Sequence, residues 1–130
     1  MAISTHASFL RIAPHFTIAD VVATADYYER VLGFMNRGFF GDPPVFVMMA
    51  RGAIEIYFNQ DPSAANTPRP RAAVAADMYI HVSDVDALSD ELKQRGASIV
   101  AGPVDRVYGM RELLVDDCNG LRIIFGCNGP

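Results

Sequence analysis

Two cysteines, three histidines and no run of basic residues set the first limits on this chain of 130 residues. Cys118 and Cys127 build no disulfide framework and lack metal-ligand spacing. Neither has a histidine close in sequence, so no activated nucleophile stands out. Lys and Arg form no cluster, and the formal net charge is −4, which argues against non-specific binding of nucleic acid. No apolar run approaches the roughly 18 residues needed to span a bilayer. The first six residues, Met1 to His6, show neither the basic nor the apolar part of a secretory signal. A phosphate-cradling glycine loop is also missing. These absences predict a cytoplasmic protein with no membrane and no nucleic-acid partner.

What the chain does contain is a repeat. Ile18, Ala19, Asp20 and Val21 return as Val82, Ser83, Asp84 and Val85, half the chain later. Each copy enters a helix-like stretch that closes on glycine, at Leu32-Gly33-Phe34 and at Arg95-Gly96-Ala97. A repeat of this size is one supersecondary unit, and two such units share a core that neither buries alone. Half the residues are apolar and a fifth are charged, an ordinary globular balance. The expected organisation is one domain over 1–130, with module one at about 9–60, module two at about 77–126, and a Pro-rich linker at about 61–76 between them.

Local patterns fill in the modules. Loose alternation over 11–19 reads as a strand, with Pro14 near its start or on an edge. Val22, Ala25, Tyr28, Val31 and Leu32 recur at helical spacing, with Thr24 and Gly33 as cap signals. Strands are expected at 34–40, 45–50 and 53–59, the last two joined at Arg51-Gly52. The second half repeats the order: a strand at 78–82, a helix at 85–95 with Val85, Leu88 and Leu92 inward, and strands at 98–100, 112–115 and 122–125. Asp86 is a candidate N-cap and Gly96 the C-terminal stop; Asp20 and Asp84 mark helix starts. Each half is βαβββ. The predicted class is α+β, the two modules forming a cupped mixed sheet.

The residues that carry this order resemble the vicinal oxygen chelate superfamily, which includes glyoxalase I, extradiol dioxygenases, fosfomycin-resistance enzymes and bleomycin-resistance proteins. The matching stretches are Asp20 through Tyr28 with Val31-Leu32-Gly33-Phe34, then Ile80-His81-Val82-Ser83-Asp84-Val85 with Leu92 and Gly96. The third is Tyr108-Gly109-Met110-Arg111-Glu112 with Val115-Asp116-Asp117 and Asn119-Gly120. The resemblance implies a homodimer with its cups at or near the interface. It also implies four metal-ligand corners, which fall here on Ala13, Glu55, Asp77 and Ile124. Alanine and isoleucine offer no donor atom, whereas an open catalytic metal site uses about three protein ligands. No metal and no cofactor are therefore expected.

The remaining candidates follow from strand parity. His15 shares a face with Ala13, toward the cup, as a base or pocket donor; a half-buried histidine bonded to a carbonyl is the plainer alternative. Asp77, Tyr79 and His81 share a face in the second module, against an alternative in which Asp77 merely ends the linker. Glu55 interrupts the apolar strand 53–58, so it faces water, a cation or a ligand. Glu55 and His15 are the candidate catalytic bases. Arg111, beside Glu112, would fix a ligand carboxylate or join an ion pair. Met48, Met49, Met110, Phe39, Phe40 and Phe46 supply adaptable wall or plain core.

The expected ligand-binding set is thus His15, Met48, Glu55, Tyr57, Asp77, Tyr79, Met110 and Arg111. The expected function is metal-free binding of a small organic molecule, similar to bleomycin-resistance proteins, with an amine-bearing or cationic ligand suiting the carboxylates. The alternative is a glyoxalase- or dioxygenase-type lyase, isomerase or oxygenase with a degenerate or rearranged metal site.

Overall fold

The sequence order βαβββ, stated twice, is what the chain builds. The structure, a computed structural model, describes residues 5–64 and 75–130, so most of the expected linker lies outside the described residues. Module one runs β1 (His15–Ile18), α1 (Val21–Arg30), β2 (Met35–Phe40), β3 (Phe46–Arg51) and β4 (Ile54–Gln60). Module two runs β5 (Met78–His81), α2 (Val85–Arg95), β6 (Ser98–Asp105), β7 (Met110–Asp116) and β8 (Arg122–Asn128). Each module holds a four-stranded mixed sheet, ordered β1-β4-β3-β2 and β5-β8-β7-β6. The first strand pairs parallel with the last, because the helix carries the chain back across the sheet.

Two strands differ most in extent from the sequence expectation, while β7 and β8 run two or three residues longer than expected at one end. Pairing of β1 with β4 starts at His15; Pro14 has no N–H to offer, and only its carbonyl joins in, accepting from Tyr57 N at 2.9 Å. β6 is longer than 98–100 because its register shifts between Ile99 and Ala101 and again before Val104. Those irregularities break the alternation that marks a strand in sequence.

The helix starts also correct the expectation. Asp20 and Asp84 are the N-caps, each in extended backbone just ahead of its helix. Asp20 Oδ1 accepts from Val22 N and Ala23 N, both at 3.0 Å, and Asp84 Oδ1 from Ala87 N at 3.0 Å. Thr24 and Asp86 lie inside the first turns, so neither caps; Thr24 Oγ1 donates to Asp20 O at 2.8 Å. Gly96 ends α2 in the left-handed region, as its place predicts.

Parity along the strands decides which residues meet. Phe58, Ile56, Val47 and Met49 turn to α1, which buries Val21, Ala25 and Tyr28. Val22 is half exposed, so Val21 takes the inward place expected of it. Leu113, Val115, Ile123 and Phe125 turn to α2, where Val85, Leu88 and Leu92 are buried as expected. All of these belong to one apolar cluster that spans both modules.

Each helix also grips the turn of the other module. Tyr28 donates to Asp117 Oδ2 at 2.6 Å, and Asn119 Nδ2 donates to Thr24 Oγ1 at 3.0 Å. In the other direction Arg51, on the β3–β4 turn, forms a two-pronged ion pair with Glu91 of α2 at 2.7 and 2.9 Å. Among the described residues no helix is long and apolar enough to cross a membrane.

Candidate functional site

With one sheet face committed to the helices, the other is free to meet a ligand. Register places His15, Tyr57, Met48 and Gly38 side by side across module one on this concave face. His15, Phe46 and Tyr57 form an aromatic patch there, with ring centroids 5.2 to 5.8 Å apart. Met48 is half-buried beside it. Met49 and Phe39 have the opposite parity and so do not line this wall; Met49 lies in the core.

Below the patch a cavity of about 770 Å³ opens between the modules. The incoming segment before β1, the first residues of β4 and the edge strand β5 surround it, bringing Glu55, Asp77 and Tyr79 together. His15 was expected to converge with these three; it lies with Phe46 and Tyr57 and does not line this cavity. Arg11 and Arg37 line the same cavity and were not expected there. Arg11 Nε lies 3.4 Å from Glu55 Oε2, with the arginine side chain 75% exposed, so the pair is a screened surface contact. Asp77 Oδ2 accepts from Arg122 N at 2.9 Å. The cavity thus holds two carboxylates and two guanidiniums.

Among the described residues the most enclosed charge is Glu112, 1% exposed, on the concave side of β7. Its Oε1 accepts from Arg106 Nε at 3.0 Å and from the Tyr108 hydroxyl at 2.8 Å. Its Oε2 accepts from the Tyr79 hydroxyl at 2.8 Å. Burial alone would raise its pKa, but hydrogen bonds from Tyr79, Tyr108 and Arg106, with the Arg106 charge, hold it below the ordinary carboxylate value. Burial and Glu112 push the Tyr79 phenol up to about 12. Sequence reasoning paired Glu112 with Arg111 and did not place it at the site. The signal available for Glu112 is its parity with Met110 and Leu114, which puts it on the face opposite Arg111.

Arg111 is on the other face. It pairs with Asp86 of α2 at 2.9 and 3.0 Å and with Asp105 at 3.0 Å. The ion-pair alternative is what the structure shows, and Arg111 does not reach the cup. Met110 keeps concave parity at the end of β7, away from the cavity lining. His81 stands beside Tyr79, ring centroids 5.0 Å apart. Arg122 folds onto Asp116 at 2.8 and 3.1 Å and does not point free into the cup.

The four corners implied by the resemblance can now be tested. Ile124 is buried next to Tyr79 in register, Ala13 has no donor, and Glu55 and Asp77 remain. Among the described residues no group of three or more His, Cys, Asp or Glu side chains converges as a metal site would require. The residues present do not fit a catalytic transition metal.

Paired βαβββ modules with an open concave face define a class of protein, and the chain belongs to it. Residues 9–125 match the family model for the Glyoxalase/Bleomycin resistance protein/Dioxygenase superfamily. Virulence protein STM3117 of Salmonella typhimurium is 28% identical over 98 residues, covering 75% of this chain and 67% of that protein. The bleomycin-binding protein of Streptomyces verticillus, solved with copper(II)-bleomycin, superposes with a TM-score of 0.67 at 25% identity, over 96% of this chain and 99% of that one. TioX from Micromonospora sp. ML1 shares the fold with a TM-score of 0.74 at 20% identity, over 92% and 99% of the two chains.

Proposed function

We propose that this chain, a single domain of two modules, is a metal-free binding protein for a small organic molecule, akin to the bleomycin-binding branch of its family. The observation that carries the reading is the cavity itself. Glu55, Asp77 and Tyr79 converge on it, while two of the four corners that would grip an ion are alanine and isoleucine. The aromatic patch of His15, Phe46 and Tyr57, with Met48, offers a stacking wall beside the polar floor. A related protein solved with copper(II)-bleomycin supports the reading of a small organic ligand.

An amine-bearing ligand is the preferred class, with its amine toward Glu55 and Tyr79. Arg11 and Arg37 balance the formal charge of the cavity, so the preference rests on local polarity and not on a surplus of carboxylate.

The same face argues for a second copy. Phe9, Leu10 and Ile12 ahead of β1, and Met35 and Phe40 on β2, are more than half exposed, a large apolar surface for an isolated chain. A cytoplasmic homodimer that covers this band and completes the cup is the proposed assembly.

A thermal-shift screen of amine-bearing aromatic compounds, followed by calorimetric titration, tests the reading. Hits are expected to bind Glu55→Gln about tenfold more weakly; unchanged affinity removes the role of Glu55. Elemental analysis of protein purified without chelators tests the absence of metal. Near-stoichiometric Fe, Mn, Zn or Ni would replace this reading with an enzyme built on a rearranged centre.

A further inference from the structure

The phenol of Tyr79 has only one direction in which to send its proton. Ionised Glu112 is an acceptor and nothing else, so the 2.8 Å contact to Oε2 fixes Tyr79 as the donor. The other oxygen of Glu112 is occupied by Arg106 and Tyr108, which keeps the carboxylate from rotating. Gly126 lies where the phenol crosses β8 to reach Glu112. A Cβ there would overlap the Tyr79 ring and hydroxyl, so the strand is bare where the contact needs room. Tyr79 is 40% exposed and lines the cavity, and Glu112 is its sole hydrogen-bond partner among the described residues. Any part of the phenol oxygen open to a ligand therefore carries lone pairs and no proton.

We infer that Tyr79, oriented by Glu112, is a specificity-determining residue that accepts a hydrogen bond from an N–H or O–H group of the ligand and rejects a carbonyl or carboxylate at that point. The inference rests on the proposed reading of the cavity as the ligand site. Glu112 acts through Tyr79 as a positioning residue. Both groups keep these protonation states around neutral pH, because the phenol is raised and the carboxylate is lowered.

Three compounds on one skeleton test this: 1-phenylethylamine, 1-phenylethanol and acetophenone, titrated into 15N-labelled protein with the amide shifts of β4 and β5 as readout. The amine and alcohol are expected to bind about tenfold more tightly than the ketone, the effect of one satisfied against one opposed polar contact. In Tyr79→Phe the alcohol and ketone converge. In Glu112→Gln the amide oxygen stays with Arg106 and Tyr108 and the amide N–H turns to the phenol. The phenol proton then swings into the cavity and the preference reverses toward the ketone. A merely structural Glu112 would weaken all three compounds without reordering them.

Equal affinity of alcohol and ketone for the wild-type protein, or an unchanged ranking in Tyr79→Phe, overturns the inference and leaves the cavity as a binding site. No shift in β4 or β5 with any of the three overturns both. Should Glu112→Gln not fold, the hydroxyl proton of Tyr79 in the wild-type protein decides: a slowly exchanging proton with a nuclear Overhauser contact to Glu112 supports the link, and a proton in free exchange with solvent removes it.

Discussion

The concave faces of the two modules share one topology and differ in how far each is finished. In module two Leu114 and Ile124 are buried, and Glu112 is closed in by Tyr79, Tyr108 and Arg106. In module one His15, Met35 and Phe40 stay exposed, and Glu55 has a loose pairing with a solvated Arg11. A duplicated unit has thus diverged: one face carries an internally paired carboxylate, the other stays open. Buried carboxylates illustrate the same economy of environment. Glu112 has a guanidinium and three hydrogen bonds and is lowered; Asp117, at the junction, is raised by burial despite hydrogen bonds from Tyr28, Leu121 and Asn119.

The sharpest break in this comparison is Glu112→Ala. It strands Arg106 and two phenols around a cavity and is expected to destabilise the protein by about 3 kcal/mol, read from urea unfolding. The pH dependence carries the same signature. Glu112 is lowered in the folded state, so its contribution is full above the unfolded value of ~4.3 and fades as pH falls through the lower native value. Glu112→Gln should flatten that acid limb of the stability curve.

Tyr28→Phe is next, at about 1 kcal/mol, because Asp117 keeps its backbone donors from Leu121 and Asn119. Here the pH slope has the opposite sign. The folded state favours protonated Asp117, so its contribution is full below ~3.9 and is lost as pH rises through its raised native value. Asp117→Asn should remove that decline, which urea midpoints measured across pH 3 to 7 would show. Smallest is Glu55→Gln, expected within about 0.5 kcal/mol of wild type, since an exposed partner contributes little. A large loss there would mean that the open face is as finished as the closed one.

Much of the fold was legible because the repeat carries its own punctuation. Asp20 and Asp84 precede the helices, and Gly52, Gly96 and Gly120 sit at positive φ where turns or caps require them. Parity within single strands pointed to one face for Asp77, Tyr79 and His81; Asp77 and Tyr79 line the cavity, and His81 does not. What parity cannot supply is register between strands. The meeting of Tyr79 with Glu112 needs β5, β8 and β7 aligned so that Gly126 falls between them. Arg111 was misplaced for a related reason: adjacent Arg111 and Glu112 point to opposite faces, and sequence alone treated them as a unit. Arg11 and Arg37 reach the cavity from a segment before β1 and from the shifted register of β2 near Asn36 and Gly38. Neither position is announced by periodicity.

The reciprocal grip of each helix on the neighbouring module's turn has a kinetic corollary. Hinging the halves apart would have to break the Tyr28–Asp117 contact and the Arg51–Glu91 clasp together, so the gape of the cup is set before any guest arrives. On the proposed reading as a binding protein, little would have to reorganise on encounter, and differences among ligands should appear in how long they stay, not in how fast they enter.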